Sequence, residues 1–190
     1  MSEPVDWGWK LREAVERLKT QYDHIGRKTG APFLAIVYPP EIQAAVLTEW
    51  HAQINGLRPE FEVHTIDVLA ITQSIVSEIG AENIVDSLNN PMPGSDPISD
   101  IGHLWISAVA EAVQKTFRDS ISAKPAVSLE KLAALYPAIG PRNIMQALWD
   151  SNQETLRGPV IVLIPGTLEG PRTYSFLDLR KEFMYRGDLL

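Results

Sequence analysis

Apolar residues recur at three- and four-residue intervals at the start of the chain, at Trp7, Leu11, Ala14, Leu18, Tyr22 and Ile25. That spacing predicts one amphipathic helix over residues 5–27, ended by the segment from Gly26 to Gly30. An unbroken apolar run, Phe33 to Tyr38, follows and reads as a buried strand stopped by Pro39-Pro40. Pro40 suits the first turn of a second helix with Ile42, Ala45, Val46, Trp50 and Ile54 on its apolar face, ended by Asn55-Gly56. Phe61 to Ile66 alternates apolar and polar positions, as a less buried strand would. Asp67 is placed to cap a helix over Val68 to Ile79, and Ala81 to Leu88 predicts a short one. Residues 89–97 are rich in asparagine, proline and glycine and read as a surface loop, because the helices on both sides need a partner for their apolar faces. Ile101, Leu104, Trp105, Ala108, Val109, Ala112 and Val113 then line a long helix.

The second half alternates in the same way. Pro125 to Leu129 is a third strand, Lys131 to Tyr136 a helical turn, and Pro141 opens a helix carrying Ile144, Met145 and Leu148. Gly158 to Gly166 is the longest apolar run, a doubly buried strand closed by a Pro165-Gly166 turn. Residues 167–190 are expected to be a tail, first a polar loop to Thr173 and then an aromatic and basic segment that ends in Met184-Tyr185-Arg186. Helices alternating with strands, joined by crossovers long enough for parallel pairing, predict a layered α/β/α domain over residues 1–190 with a mostly parallel four-stranded sheet.

Composition narrows the chemistry. At 190 residues, 45% hydrophobic and 22% charged, the chain has ordinary globular values. It has no cysteine, which removes disulfides, thiolate metal sites and cysteine nucleophiles. The first ten residues hold Glu3, Asp6 and two tryptophans instead of a basic region followed by an apolar one, so no signal peptide is read. No apolar run approaches the roughly 20 residues that span a bilayer. The expectation is a soluble cytoplasmic protein. The net charge of −7 is concentrated: residues 31–123 carry three Lys+Arg against twelve Asp+Glu, while each flanking part has a net charge of +1. An acidic middle repels phosphate and disfavours direct nucleic-acid binding, although Lys28, Arg142 and Arg186 leave a basic face open.

Catalytic patterns are sparse. Gly26-Arg27-Lys28-Thr29-Gly30 holds a Lys-Thr pair among glycines, but Arg27 stands where a phosphate loop needs glycine, and the segment follows a helix and precedes a strand. It reads as a helix end with basic residues offsetting the dipole. After the first strand, Pro39 and Pro40 supply no N–H and Glu41 repels phosphate. Glu130, after the third strand, lacks a partner acid and reads as a charge at a helix start. His24, His51, His64 and His103 are not at ligand spacing, and Gly-x-Ser-x-Gly is absent. Asp96 and Asp100 read as helix-start carboxylates. Neither a catalytic residue nor a cofactor or metal site is assigned.

Two clusters remain. In Tyr136-Pro137-Ala138-Ile139-Gly140-Pro141-Arg142-Asn143 a rigid turn presents Arg142 and Asn143, and Phe183-Met184-Tyr185-Arg186 is the other. Arg and Tyr each join a large apolar surface to a polar tip, which suits protein contacts. Tyr136, Arg142, Asn143, Tyr185 and Arg186 are therefore the candidate partner-binding residues; the alternative is a tail that Tyr185 pins to its own domain.

These clusters and their neighbouring strands resemble the BrxB family of bacteriophage-exclusion (BREX) defence systems. Its opening pattern, Pro-Phe-x-Ile-x-x-Tyr-x-Pro, is approximated by Pro32 to Glu41. A strand, a short helix, an aromatic-Pro and an Arg before Asn-Ile-Leu-x-x-Leu are matched by Ala126 to Leu129, Tyr136-Pro137 and Arg142 to Leu148. The closing strand, Pro-Gly, a leucine and a terminal Tyr-Arg are matched by Val160 to Ile164, Pro165-Gly166, Leu168 and Tyr185-Arg186. Met184 stands where the family tends to have a second Tyr. The resemblance implies a P-loop/AAA+-like core without Walker motifs and a non-catalytic, protein-interacting role in a defence complex. It implies the phosphatase-superfamily protein PglZ and other BREX proteins as partners. Self-association and a nucleotide-binding protein with a degenerate phosphate loop stay open as alternatives.

Overall fold

The computed structural model describes residues 7–151 and 153–190. At its centre are strands β1 (Phe33–Tyr38), β2 (Glu62–Asp67), β3 (Pro125–Glu130) and β4 (Val160–Gly170), all parallel, in the order β2-β3-β4-β1. Every residue of β1 and β3 is buried, as are the first seven of β4, because helices cover both faces of the sheet. Alternate residues serve two cores. Leu34, Ile36, Ala126, Ile161 and Leu163 pack against α1 (Gly8–Gln21) and α2 (Gln43–Asn55). Ala35, Val37, Val127, Leu129 and Val162 pack against α3 (Val68–Ile79), α5 (Pro97–Asp119) and α6 (Pro141–Ser151). The layered α/β/α architecture with a mostly parallel sheet is as the alternation implies.

Local chemistry sets several boundaries. Asp67 caps α3, its carboxylate accepting the Ala70 N–H at 3.0 Å, and Asp96 does the same for α5 with Ser99 at 3.2 Å. The first helix is shorter than the predicted 5–27: α1 ends at Gln21 and tight turns follow. Tyr22 leaves the helix to donate its hydroxyl to the Pro125 carbonyl at 2.5 Å, and burial pushes its pKa up to about 12. Residues 5 and 6 of the predicted helix lie outside the described residues. In α5, Leu104 was expected in the core and is instead exposed, leaving Trp105, Val109, Val113 and Phe117 as the buried stripe. In α2, likewise, Ala45 is exposed and Leu47 is buried.

The largest correction is the C-terminal part. Among the described residues the sheet has seven strands, not four, and the three unforeseen ones all come from the expected tail. β4 does not stop at Pro165-Gly166. It trades parallel pairing with β1, ending at Tyr38↔Pro165, for antiparallel pairing with β5 (Thr173–Phe176), starting at Gly166↔Phe176. A Cβ on Gly166 would lie 2.0 Å from the Ser175 carbonyl oxygen, so only glycine lets the two backbones meet there. β6 (Arg180–Phe183) pairs with β5, and β7 (Asp188–Leu189) adds a parallel strand beside β1. The final residue, Leu190, is buried and its backbone bonds Ala35 and Val37, each at 2.9 Å.

Candidate interaction surface

The structure brings the two clusters together. Arg142, in the first turn of α6, and Trp149, seven residues on, share a helix face. The β5–β6 hairpin and the segment after it lie against that face. Arg142 stacks its guanidinium on the Tyr185 ring at 4.6 Å, and Arg186 stacks on Trp149 at 4.7 Å. Phe183 meets Tyr185 edge-on at 4.8 Å. Tyr185 and Phe183 are 59% and 40% exposed, large values for aromatic side chains. Among the described residues no carboxylate lies within ion-pair distance of Arg142 or Arg186, so both charges face outward. A shallow groove of about 200 Å³ beside Arg142 is lined by Arg180, Lys181 and Gln146.

Beneath this surface sits Glu182, 4% exposed. Its carboxylate accepts the Tyr174 hydroxyl at 2.7 Å and the Arg142 backbone N–H at 3.0 Å, and pairs with Arg180 Nε at 3.3 Å. Glu182 thus caps α6 from forty residues away: a negative charge at a helix N-terminus that also takes up an orphan N–H. Burial, helped by the neighbouring Glu182 charge, raises the Tyr174 pKa, keeping its hydroxyl a donor. Gly140 makes room for this arrangement, because a Cβ there would lie 1.9 Å from Glu182 Oε1.

Each candidate residue has a definite place. Arg142, Tyr185 and Arg186 form the exposed layer. Asn143 turns back into its own loop, its Oδ1 accepting the Gly140 N–H at 3.0 Å, so it builds the turn instead of offering a contact. Tyr136 is 42% exposed but does not line the cleft between α6 and the C-terminal segment. The segment is pinned, though not by Tyr185. Met184, 2% exposed, is its anchor, its backbone exchanging 2.8 Å bonds with Arg172, while the Gly187 N–H binds Thr29 Oγ1 at 2.5 Å. Trp149, Glu182 and Tyr174 belong to the site and were not singled out in the sequence. The spacing of Arg142 and Trp149 on one helix was the available signal for Trp149.

The ends of the parallel strands are occupied by protein. After β1 the chain makes a tight turn in which the Ile42 and Gln43 N–H groups bond the carbonyls of Pro39 and Pro40. Tyr38, 1% exposed, donates its hydroxyl to Gln43 Oε1 at 3.0 Å. At the end of β3, Glu130 contacts His51 Nε2 at 2.9 Å, and Ser128 links it to Trp50. Burial raises the Glu130 pKa, with the His51 contact opposing it. Glu130 is thus a buried network member instead of a helix-start charge. The Lys28-Thr29 segment forms a one-turn helix between Gly26 and Gly30, with its threonine committed to Gly187. Among the described residues no group of three or more His, Asp or Glu is placed to hold a metal ion, and no helix is long and apolar enough to cross a membrane.

Compared with models of known protein families, with curated proteins and with solved structures, the chain matches none.

Proposed function

We propose that the chain is a non-catalytic docking subunit of a cytoplasmic bacteriophage-exclusion complex, related to the BrxB family. Its partner surface is Arg142, Tyr185 and Phe183 with Arg186 and Trp149. The observation that carries this reading is the convergence of the two resemblance-bearing clusters on one exposed face. The backbone there is fastened from below by Glu182 and Met184, while two guanidinium groups stay unpaired above. Arg, Tyr and Trp are the residues that dominate binding energy at protein interfaces. Guanidinium groups already stacked on rings lose little freedom on binding, and their free edges suit a partner's carboxylates. The layered parallel sheet supports the P-loop-like core that the resemblance implies. The closed turn of Tyr38 to Gln43, with its N–H groups already bonded, supports the absence of a phosphate grip.

Co-expression of the affinity-tagged chain with BREX components, PglZ among them, is expected to recover a complex that Arg142→Ala with Tyr185→Ala disrupts. Failure to recover any complex would overturn the reading. So would calorimetric heat on titrating the chain with ATP and magnesium at millimolar concentration.

A further inference from the structure

We infer that the groove between α4 (Ala81–Asn89) and α5 is a second docking site, shaped for an amphipathic helix of a partner protein with an apolar ridge and Lys or Arg flanks. Helix α4 buries none of its residues. A nine-residue helix gains too little from propensity alone and depends on packing. Apolar side chains that line the space beside it nevertheless stay exposed, Met92 at 75% on the following loop and Leu104 at 48% on α5. Between the helices runs an open groove of about 410 Å³ floored by Ile79, Ile84, Ile101 and Leu104. An exposed apolar strip of this kind, rimmed by polar residues, marks a binding surface.

Charge selects the occupant. Between Arg58 and Lys115 there is no Lys or Arg, and the groove is lined by the carboxylates of Asp86 on α4 and Asp100 on α5. Among the described residues neither carboxylate pairs with a cation. A membrane carrying anionic lipid and the phosphates of nucleic acid are both repelled by such a rim. A second copy placed symmetrically would set acid against acid, with like charges juxtaposed. A helix with apolar residues at i, i+3 or i+4 and i+7 fills the groove, and basic residues beside that ridge meet the carboxylates.

The test is fluorescence anisotropy of the full chain with a labelled amphipathic leucine–lysine peptide of about 18 residues. A scrambled peptide of the same composition and a version with every Lys replaced by Glu serve as controls. The amphipathic peptide is expected to bind, and both controls to bind about tenfold more weakly or not at all. Met92→Gln with Leu104→Gln, both exposed and both lining the groove, should weaken binding about tenfold. Asp86→Asn with Asp100→Asn should weaken it and flatten its salt dependence. Arg142→Ala should leave this titration unchanged, so that failure here is separable from failure of the docking surface above. Absence of binding, equal binding of the scrambled peptide, or indifference to the Met92 and Leu104 changes would overturn the inference. A wild-type dimer in sedimentation that Met92→Gln with Leu104→Gln dissolves would also overturn it, by assigning the groove to a second copy.

Discussion

The Arg142–Tyr185 surface and the α4–α5 groove both expose large side chains, but they are built in opposite ways. Under the first lies a buried carboxylate tied to a helix end, a tyrosine and an arginine, with Met184 sunk into the core next to it. Under α4 there is no buried residue of its own. A fastened surface is preorganised, and on the docking role proposed above its stacked cations would lose little freedom on binding. A loosely packed helix belongs to the low end of local stability and can adjust to what it meets. The lesson is that exposure alone does not characterise a surface; what holds its backbone decides how it binds.

Glu182 is where that contrast can be broken most forcefully. Glu182→Ala leaves the Tyr174 hydroxyl and the Arg142 N–H without their acceptor, and is expected to destabilise the fold by about 2–4 kcal/mol in urea unfolding. Gly140→Ala, whose new methyl displaces the same carboxylate, should bring a similar loss. The double variant should lose far less than the sum. Full additivity would show that the two do not share one contact. Tyr174→Phe removes a single bond to Glu182, with an expected loss of about 1–2 kcal/mol.

Glu130 sharpens the comparison as a buried carboxylate unconnected to the Arg-aromatic surface. Burial raises its pKa, so the native state holds that proton more tightly than the unfolded chain, whose value is near 4.5. Its contribution to stability therefore falls as pH rises from 4.5 through the raised native value. Glu130→Gln cannot ionise, so its stability relative to wild type should grow with pH across that window in denaturant titrations. A constant difference would contradict the assignment. The smallest effect belongs to the groove: Met92→Gln, at a position 75% exposed, should change stability by no more than about 0.5 kcal/mol.

The parallel core was legible because each buried strand is a continuous apolar run and each crossover helix has its own cap or proline. The C-terminal hairpin was not. Its turn places Leu177 and Asp178 at φ of 55° and 58°, where a sequence reader looks for Asn-Gly, so nothing announced it. Pro165-Gly166 likewise signals a stop, and the chain uses it to change pairing partners. The candidate site was half legible. Its exposed arginines and Tyr185 stood out by composition, but Glu182 acts across forty residues, and only the fold reveals that distance. Leu104 misled for the opposite reason, since it keeps helical spacing and faces the open groove.

The central claim, that a preformed Arg-aromatic face docks a partner, is tested most directly by titrating purified wild-type and Arg142→Ala chains into a PglZ-type partner by calorimetry. Urea unfolding of both chains is measured alongside. The account predicts about 10- to 100-fold weaker binding for the variant, with stability changed by no more than about 1 kcal/mol. Equal affinity of the two chains, or no heat with the wild type, would contradict it.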